Sequence, residues 1–150
     1  MNSLAFKTNF GWISVFEYNN HIVKIKFGKC RNKSVSKNLK KLKSNINNFF
    51  NKKTKFIKTN FFIKGNATQK KVWGELTRIK LGKTKSYGEI AKKYRLSPRH
   101  VGRICAQNKI VLVIPCHRVV RSDGSMGGFS SVGCIFLKKK LLNFERLWKQ

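Results

Sequence analysis

The stretch VLVIPCHRVV, residues 111–120, gathers a thiol, an imidazole and a guanidinium in three consecutive residues: Cys116, His117 and Arg118. A cysteine attacks as its thiolate, and a free thiol is mostly protonated at neutral pH. A nucleophilic Cys116 therefore needs a base or a positive charge beside it, and the next two residues are of those types. A histidine acting as base also needs an acid to orient it. The chain offers only Glu17, Glu75, Glu89, Asp123 and Glu145. Glu145 lies beside Leu141, Leu142 and Leu147 on the apolar side of a C-terminal helical pattern, where a carboxylate without a partner is costly. It is the best candidate to hold His117. The competing reading is an inert buried cysteine with Glu145 as a surface charge.

Several elements must position these groups. Val111–Ile114 reads as a buried strand stopped by Pro115. Ahead of it, SYGEIAKKYRLSPRHVGRICAQN (residues 86–108) reads as two short helices with a tight turn. Ser86 caps the first, with Glu89 completing a capping box. Ser97 caps the second, with Pro98 at its first position, where the missing N–H costs nothing. Asn108 is expected to end it. A further helix is expected over 67–79, closed by Gly82, and a last one over about 137–148. The Gly-rich loop DGSMGGFSS (123–131) follows the Cys-His pair, and its glycines let a flat ligand approach the backbone.

The first part of the chain has a different pattern. Trp12–Tyr18 and His21–Gly28 alternate as strands, with Asn19-Asn20 as the turn between them. Residues 34–53 carry Val35, Leu39, Leu42, Ile46, Phe49 and Phe50 at helical spacing. Residues 54–65 return to a strand or an extended segment. These patterns divide the chain into residues 1–64 and 65–150.

Composition narrows the function classes. The 150 residues carry 34 Lys and Arg against five acids, a net charge of +29. A surplus of this size implies a polyanionic partner, with nucleic acid foremost. Arg99, His100 and Arg103 fall at the start of the second short helix, where a recognition helix presents side chains to DNA. The four cysteines are irregularly spaced and form no CxxC pair, which argues against a zinc site or a disulfide framework. No apolar run reaches the ~18 residues that span a bilayer. No signal-peptide pattern is present, so a soluble, cytoplasmic protein is expected.

Taken together, IPCHRVV, DGSMGGF, SYGEIA, SPRHVG and KKKLLNFE resemble the O6-alkylguanine-DNA alkyltransferases over residues 67–148. The resemblance implies a fold and a chemistry. The fold would be α/β (α+β): an N-terminal, ribonuclease-H-like supporting domain with a sheet and a helix, packed on a mostly helical C-terminal domain bearing the helix-turn-helix. The chemistry would be a single irreversible alkyl transfer from O6 of guanine, and less surely O4 of thymine, in double-stranded DNA to Cys116. The base would first be flipped out of the stack. His117 would act as base, oriented by Glu145, and Tyr87 would donate to the guanine ring. Ser130 and Val119 would contact the base, with Arg118 and Asn108 also on the substrate side and Asn108 supporting the active-site turn. Arg99 would fill the vacated place in the duplex. No metal or cofactor and no obligatory protein partner is implied, and a monomer is expected. The chain departs from the family's habit in four places: Lys109 replaces a common proline, Phe129 a common tyrosine, SSVGCIFLKKK is longer than the usual Gly-rich stretch, and the turn around Arg95 to Ser97 is short.

Other function classes predict different behaviour. A protein that only recognises alkylated bases has no use for Cys116. A cysteine hydrolase or redox enzyme gains nothing from a charge of +29. A ribosome- or RNA-associated basic protein predicts an unreactive Cys116.

Overall fold

The structure, a computed structural model, describes residues 1–126 and 134–149. They divide into two compact units: Met1–Ile63 with Lys109–Val113, and Lys64–Asn108 with Ile114 onward. The short segment 109–113 thus belongs with the first unit although both its flanks belong to the second.

The first unit is built on an antiparallel sheet of β1 (Asn2–Thr8), β2 (Gly11–Tyr18) and β3 (His21–Phe27), in that order. Asn19 and Asn20 both adopt positive φ, +49° and +62°, as a tight hairpin turn of type I′ requires. Alternation sends Leu4, Phe6, Ile13, Val15, Ile25 and Phe27 into the core, and a register shift in β3 opposite Phe16/Glu17 brings Ile22 to the same face. Helix α1 (Lys37–Phe50) lies against β1 and β2 and buries Leu39, Leu42, Ile46, Phe49 and Phe50. Its N-cap is Ser36, whose side chain accepts from the Leu39 amide. Val35 therefore precedes the helix. Residues 54–65 form no regular strand and contribute a single parallel bridge, Phe61 with Ile22.

The second unit opens with α2 (Ala67–Thr77), started by a reciprocal Asn66–Gln69 capping box. A two-residue strand, β4 (Lys85–Ser86), leads into α3 (Tyr87–Tyr94). The expected Ser86–Glu89 capping box is present. Arg95 closes α3 in the left-handed region at φ +57° and makes the turn to α4 (Pro98–Ala106), which is capped by Ser97 as expected. The helix ends on Gln107 rather than Asn108. Trp73 Nε1 donates to the Ile104 carbonyl at 3.0 Å and ties α2 to α4.

One expected element is corrected. Residues 111–114 form a turn, not a strand, with Leu112 at φ +72°, and only Ile110 makes a bridge, to Ile25. A short buried apolar run has the same composition in either conformation. The strand near the Cys-His pair lies after it: β5 (Val119–Val120) pairs in parallel with β4. Helix α5 (Cys134–Lys149) completes the unit and begins three residues earlier than its apolar pattern suggests.

Candidate active site

Pro115 cannot continue a ladder, and the chain after it tightens into a single 3-10 turn, Cys116–Arg118. The Cys116 amide donates to the Ile114 carbonyl at 2.8 Å, and the Arg118 amide to the Pro115 carbonyl at 3.0 Å. On an extended strand, neighbouring side chains point apart. On this turn, Cys116, His117 and Arg118 are all buried, at 5%, 1% and 7% exposure.

Helix α5 brings Glu145 to this turn. Its Oε2 meets His117 Nε2 at 2.5 Å, and its Oε1 accepts from Arg118 Nε at 2.7 Å. A carboxylate acceptor makes Nε2 the donor, which leaves Nδ1 as the basic nitrogen of a neutral ring. Nδ1 is buried without a hydrogen-bond partner among the described residues. Burial works against ionising Glu145, but the His117 ring bonded to it, together with Arg118, outweighs burial and holds the carboxyl down at about 2.

The expectation that Arg118 lies on the substrate side is corrected. Its Nε binds Glu145, and its Nη1 donates to the Ile79 carbonyl at 2.6 Å. The guanidinium balances the buried carboxylate instead. Val119 is fully buried and begins β5. Asn108 Nδ2 donates to the Ile114 carbonyl at 2.8 Å, which braces the turn before Cys116, and its side chain also hydrogen-bonds the Cys116 sulfur. Ser130, with Gly127, Gly128 and Phe129, lies outside the described residues.

A residue that the sequence pattern did not single out completes the cluster. Lys138 of α5 is 0% exposed. Its Nζ donates to the Tyr87 hydroxyl at 3.2 Å and stands 5.4 Å from the ring centroid. Burial pulls the Lys138 ammonium below its ordinary range, while the sulfur charges of Cys116 and Cys105 pull the other way. The Cys116 thiol is pushed up by burial and drawn back by Asn108 and by the Lys138 charge. Tyr87 is raised to about 12, by burial first and then by Cys105 and Cys116, so its phenol remains a donor at neutral pH. Tyr87 is the first residue of α3, where Gly88 allows a close approach. A Cβ on Gly88 would stand 2.9 Å from Ser122 Oγ.

Arg99, His100 and Arg103 are exposed along α4, while Val101, Ile104 and Cys105 face inward. The second helix of the helix-turn-helix thus presents its basic residues to solvent. Among the described residues, no group of three His, Cys, Asp or Glu is arranged to hold a metal, and no helix is long and apolar enough to cross a membrane.

Residues 67–147 match the family model described as the DNA-binding domain of 6-O-methylguanine DNA methyltransferase. The chain belongs to this family. A methylated-DNA–protein-cysteine methyltransferase of Sulfolobus acidocaldarius is 35% identical over 94% of this chain and 90% of its own length. An O6-methylguanine DNA methyltransferase structure from Methanococcus jannaschii is 28% identical, with a TM-score of 0.72 over 96% of this chain and 93% of that one. The Mycobacterium tuberculosis OGT, crystallised in complex with DNA, superimposes with a TM-score of 0.86 over 99% of this chain and 94% of that one; at 23% identity it shows the shared fold. Membership of this methyltransferase family gives the Cys116, His117 and Glu145 arrangement its chemical context.

Proposed function

We propose that this protein repairs DNA by moving an alkyl group from O6 of guanine to Cys116, once per molecule. One observation carries the reading. A buried thiol stands next to a histidine whose Nε2 is held by a buried carboxylate and whose Nδ1 is left as an unpartnered base. The thiol proton passes to His117 Nδ1, directly or through a water, and the imidazolium formed is stabilised by Glu145. The Cys116 thiolate attacks the alkyl carbon, the carbon–O6 bond breaks, and the electron pair leaves on the guanine. Tyr87 donates its proton to a ring nitrogen as that charge develops. Lys138, bound to the Tyr87 hydroxyl, stabilises both the thiolate and the phenolate that follows. The products are normal guanine and a thioether. A thioether has no easy leaving group, so turnover ends there.

Duplex DNA is the proposed substrate form, with Arg99, His100 and Arg103 on the exposed side of α4 as its contacts. A base inside a duplex hides O6 from any nucleophile, so the target base must rotate out. Asn108 supports the turn, and Val119 and Ser130 are proposed to border the base. Residues 65–150 would carry both DNA binding and transfer, with residues 1–64 as a ribonuclease-H-like support, in a monomer located in the cytoplasm.

The test is intact-protein mass spectrometry after mixing with a duplex that holds one O6-methylguanine, followed by peptide mapping. The expected result is one methyl group on the Cys116 peptide and no further gain with excess substrate. Cys116→Ser is expected to bind the same duplex with no methyl gain. Selective binding by the native protein without modification would leave damage recognition without repair.

A further inference from the structure

The outer face of the first unit's sheet carries a pattern that alkyl transfer leaves unused. Strand β2 sets Trp12, Ser14, Phe16 and Tyr18 at alternate positions, opposite to the core positions Ile13, Val15 and Glu17. Alternate residues of a strand share a face, so Phe16 and Tyr18 stand about 6.7 Å apart, and Trp12 about 13 Å from Phe16 with the buried Ser14 between them. Trp12 and Phe16 are half-buried, and Tyr18 is 57% exposed. Lysines flank the row on both neighbouring strands: Lys7 of β1 pairs with Trp12, while Lys26 and Lys24 of β3 pair with Ser14 and Phe16. The Lys24 and Lys26 ammonium groups lie 5.9 and 5.6 Å from the Phe16 ring centre, and that of Lys29 lies 4.7 Å from the Trp12 ring.

The charge of this region is almost entirely of one sign. Residues 1–63 hold fourteen Lys and Arg and a single acid, Glu17. Glu17 is 4% exposed, points to the other side of the sheet, and accepts from Asn2 Nδ2 at 3.0 Å. Nothing acidic within residues 1–63 therefore answers the lysines of the outer face. Lysines alone would suit any polyanion. The aromatic row narrows the choice, because rings in a cationic groove are stacking platforms for unpaired bases, and a duplex keeps its base faces inside.

We propose that this face binds single-stranded DNA, with bases stacked on Phe16 and Trp12 and phosphates held by Lys7, Lys24, Lys26 and Lys29. Binding at this face does not depend on the chemistry of Cys116. An acidic protein would use the lysines but have no need of the rings.

The full chain would be titrated against a labelled oligothymidylate by fluorescence anisotropy. Three variants are compared with the native protein: K7Q/K24Q/K26Q on the face, K37Q/K40Q/K41Q on exposed positions of α1 with the same charge removed, and Phe16→Leu. The face triple is expected to weaken binding about tenfold and to reduce the slope of log affinity against log salt by about 2. The α1 triple is expected to weaken it about threefold or less, as a reduction of bulk charge alone would. Phe16→Leu keeps every lysine and is expected to cost about fivefold through lost stacking. Thermal melts establish that each variant is folded, and Phe16→Leu tests the face independently of the triple. Equal weakening by the two triples would assign binding to bulk charge and overturn the proposal. So would a Phe16→Leu variant that binds single strands as the native protein does.

Discussion

Glu75 and Glu145 are both 1% exposed, and both are held by basic partners that keep their carboxyls at about 2 against the force of burial. Their surroundings nevertheless differ in kind. Glu75, on α2, accepts from Lys93 at 2.9 and 3.1 Å, Lys85 at 3.0 Å, Arg78 at 2.9 Å and the Tyr94 hydroxyl at 3.3 Å. The side chains of Arg78, Lys85 and Lys93 are 67%, 39% and 55% exposed, so these cations reach in from solvent. Glu145 is met by His117 and Arg118, whose side chains are 1% and 9% exposed. One carboxylate fastens helices together through cations that reach in from solvent. The other holds the ring beside Cys116, the proposed nucleophile. A buried, strongly acidic carboxyl is therefore not by itself a mark of catalysis, and its partners decide what it does.

The largest expected effect comes from Glu145→Gln. Removing one member of a buried pair leaves Arg118 charged and uncompensated, a loss of about 3 kcal/mol in unfolding free energy. His117 loses the negative charge that steadies its imidazolium, so alkyl transfer is expected to slow by about 100-fold. Rates are to be measured with free O6-methylguanine base as well as with duplex, so that DNA binding does not enter. A variant as unstable as expected but unchanged in rate would place Glu145 in the same class as Glu75.

Lys138→Met separates charge from packing. Replacing a buried cation by an apolar residue of similar length is often neutral or stabilising, so the melting temperature is expected to hold or rise. The Cys116 thiol loses the charge that opposes its burial. Its apparent pKa in the rate–pH profile is expected to move up, and the rate near pH 7 to fall about tenfold. An unshifted profile would remove Lys138 from the reaction and leave it as a partner of Tyr87 alone.

These contrasts explain what the amino-acid order can disclose. Capping is local, so Ser86 with Glu89 and Ser97 with Pro98 are readable directly, and the strands of the first unit follow from alternation. Glu145 is readable because an acid among leucines on one helical face is an anomaly. Lys138 is the same anomaly disguised. It stands in a run of three lysines that reads as solvated, yet it shares a face with Leu141 and Glu145, three and seven residues on, while Lys139 and Lys140 are exposed. Helical spacing applied to the run is the signal that finds it. Residues 111–114 mislead because the left-handed turn at Leu112 is imposed by long-range packing, and a leucine gives no local sign of it. Arg118 looks like a substrate contact because its partner lies 27 residues away on another helix. Glu75 attracts no notice because its nearest partner in sequence, Arg78, suggests an ordinary surface pair one helical turn apart.

Glu75→Gln gives the smallest expected effect and the sharpest comparison. Its cations can return to water when the carboxylate is removed, so each lost pair behaves as a surface ion pair, and the total loss is expected to be about 1–2 kcal/mol. The substituted amide would retain hydrogen bonding to the lysines and to Tyr94. The rate with free base is expected to stay within about twofold, because Glu75 orients no group on the reaction path. The acid side of the stability curve adds an independent readout. A carboxyl held at about 2 against an ordinary 4.5 contributes stability that is complete above about pH 4.5 and is lost as pH falls through about 2. Glu75→Gln should remove one such contribution and flatten the loss of stability over that window, with the rate unaltered at neutral pH. Glu145→Gln should flatten the same window and abolish most of the rate. A large rate loss in Glu75→Gln would mean that the clasp between α2 and α3 sets the position of Tyr87, at the first residue of α3, and that Glu75 reaches the chemistry through that helix.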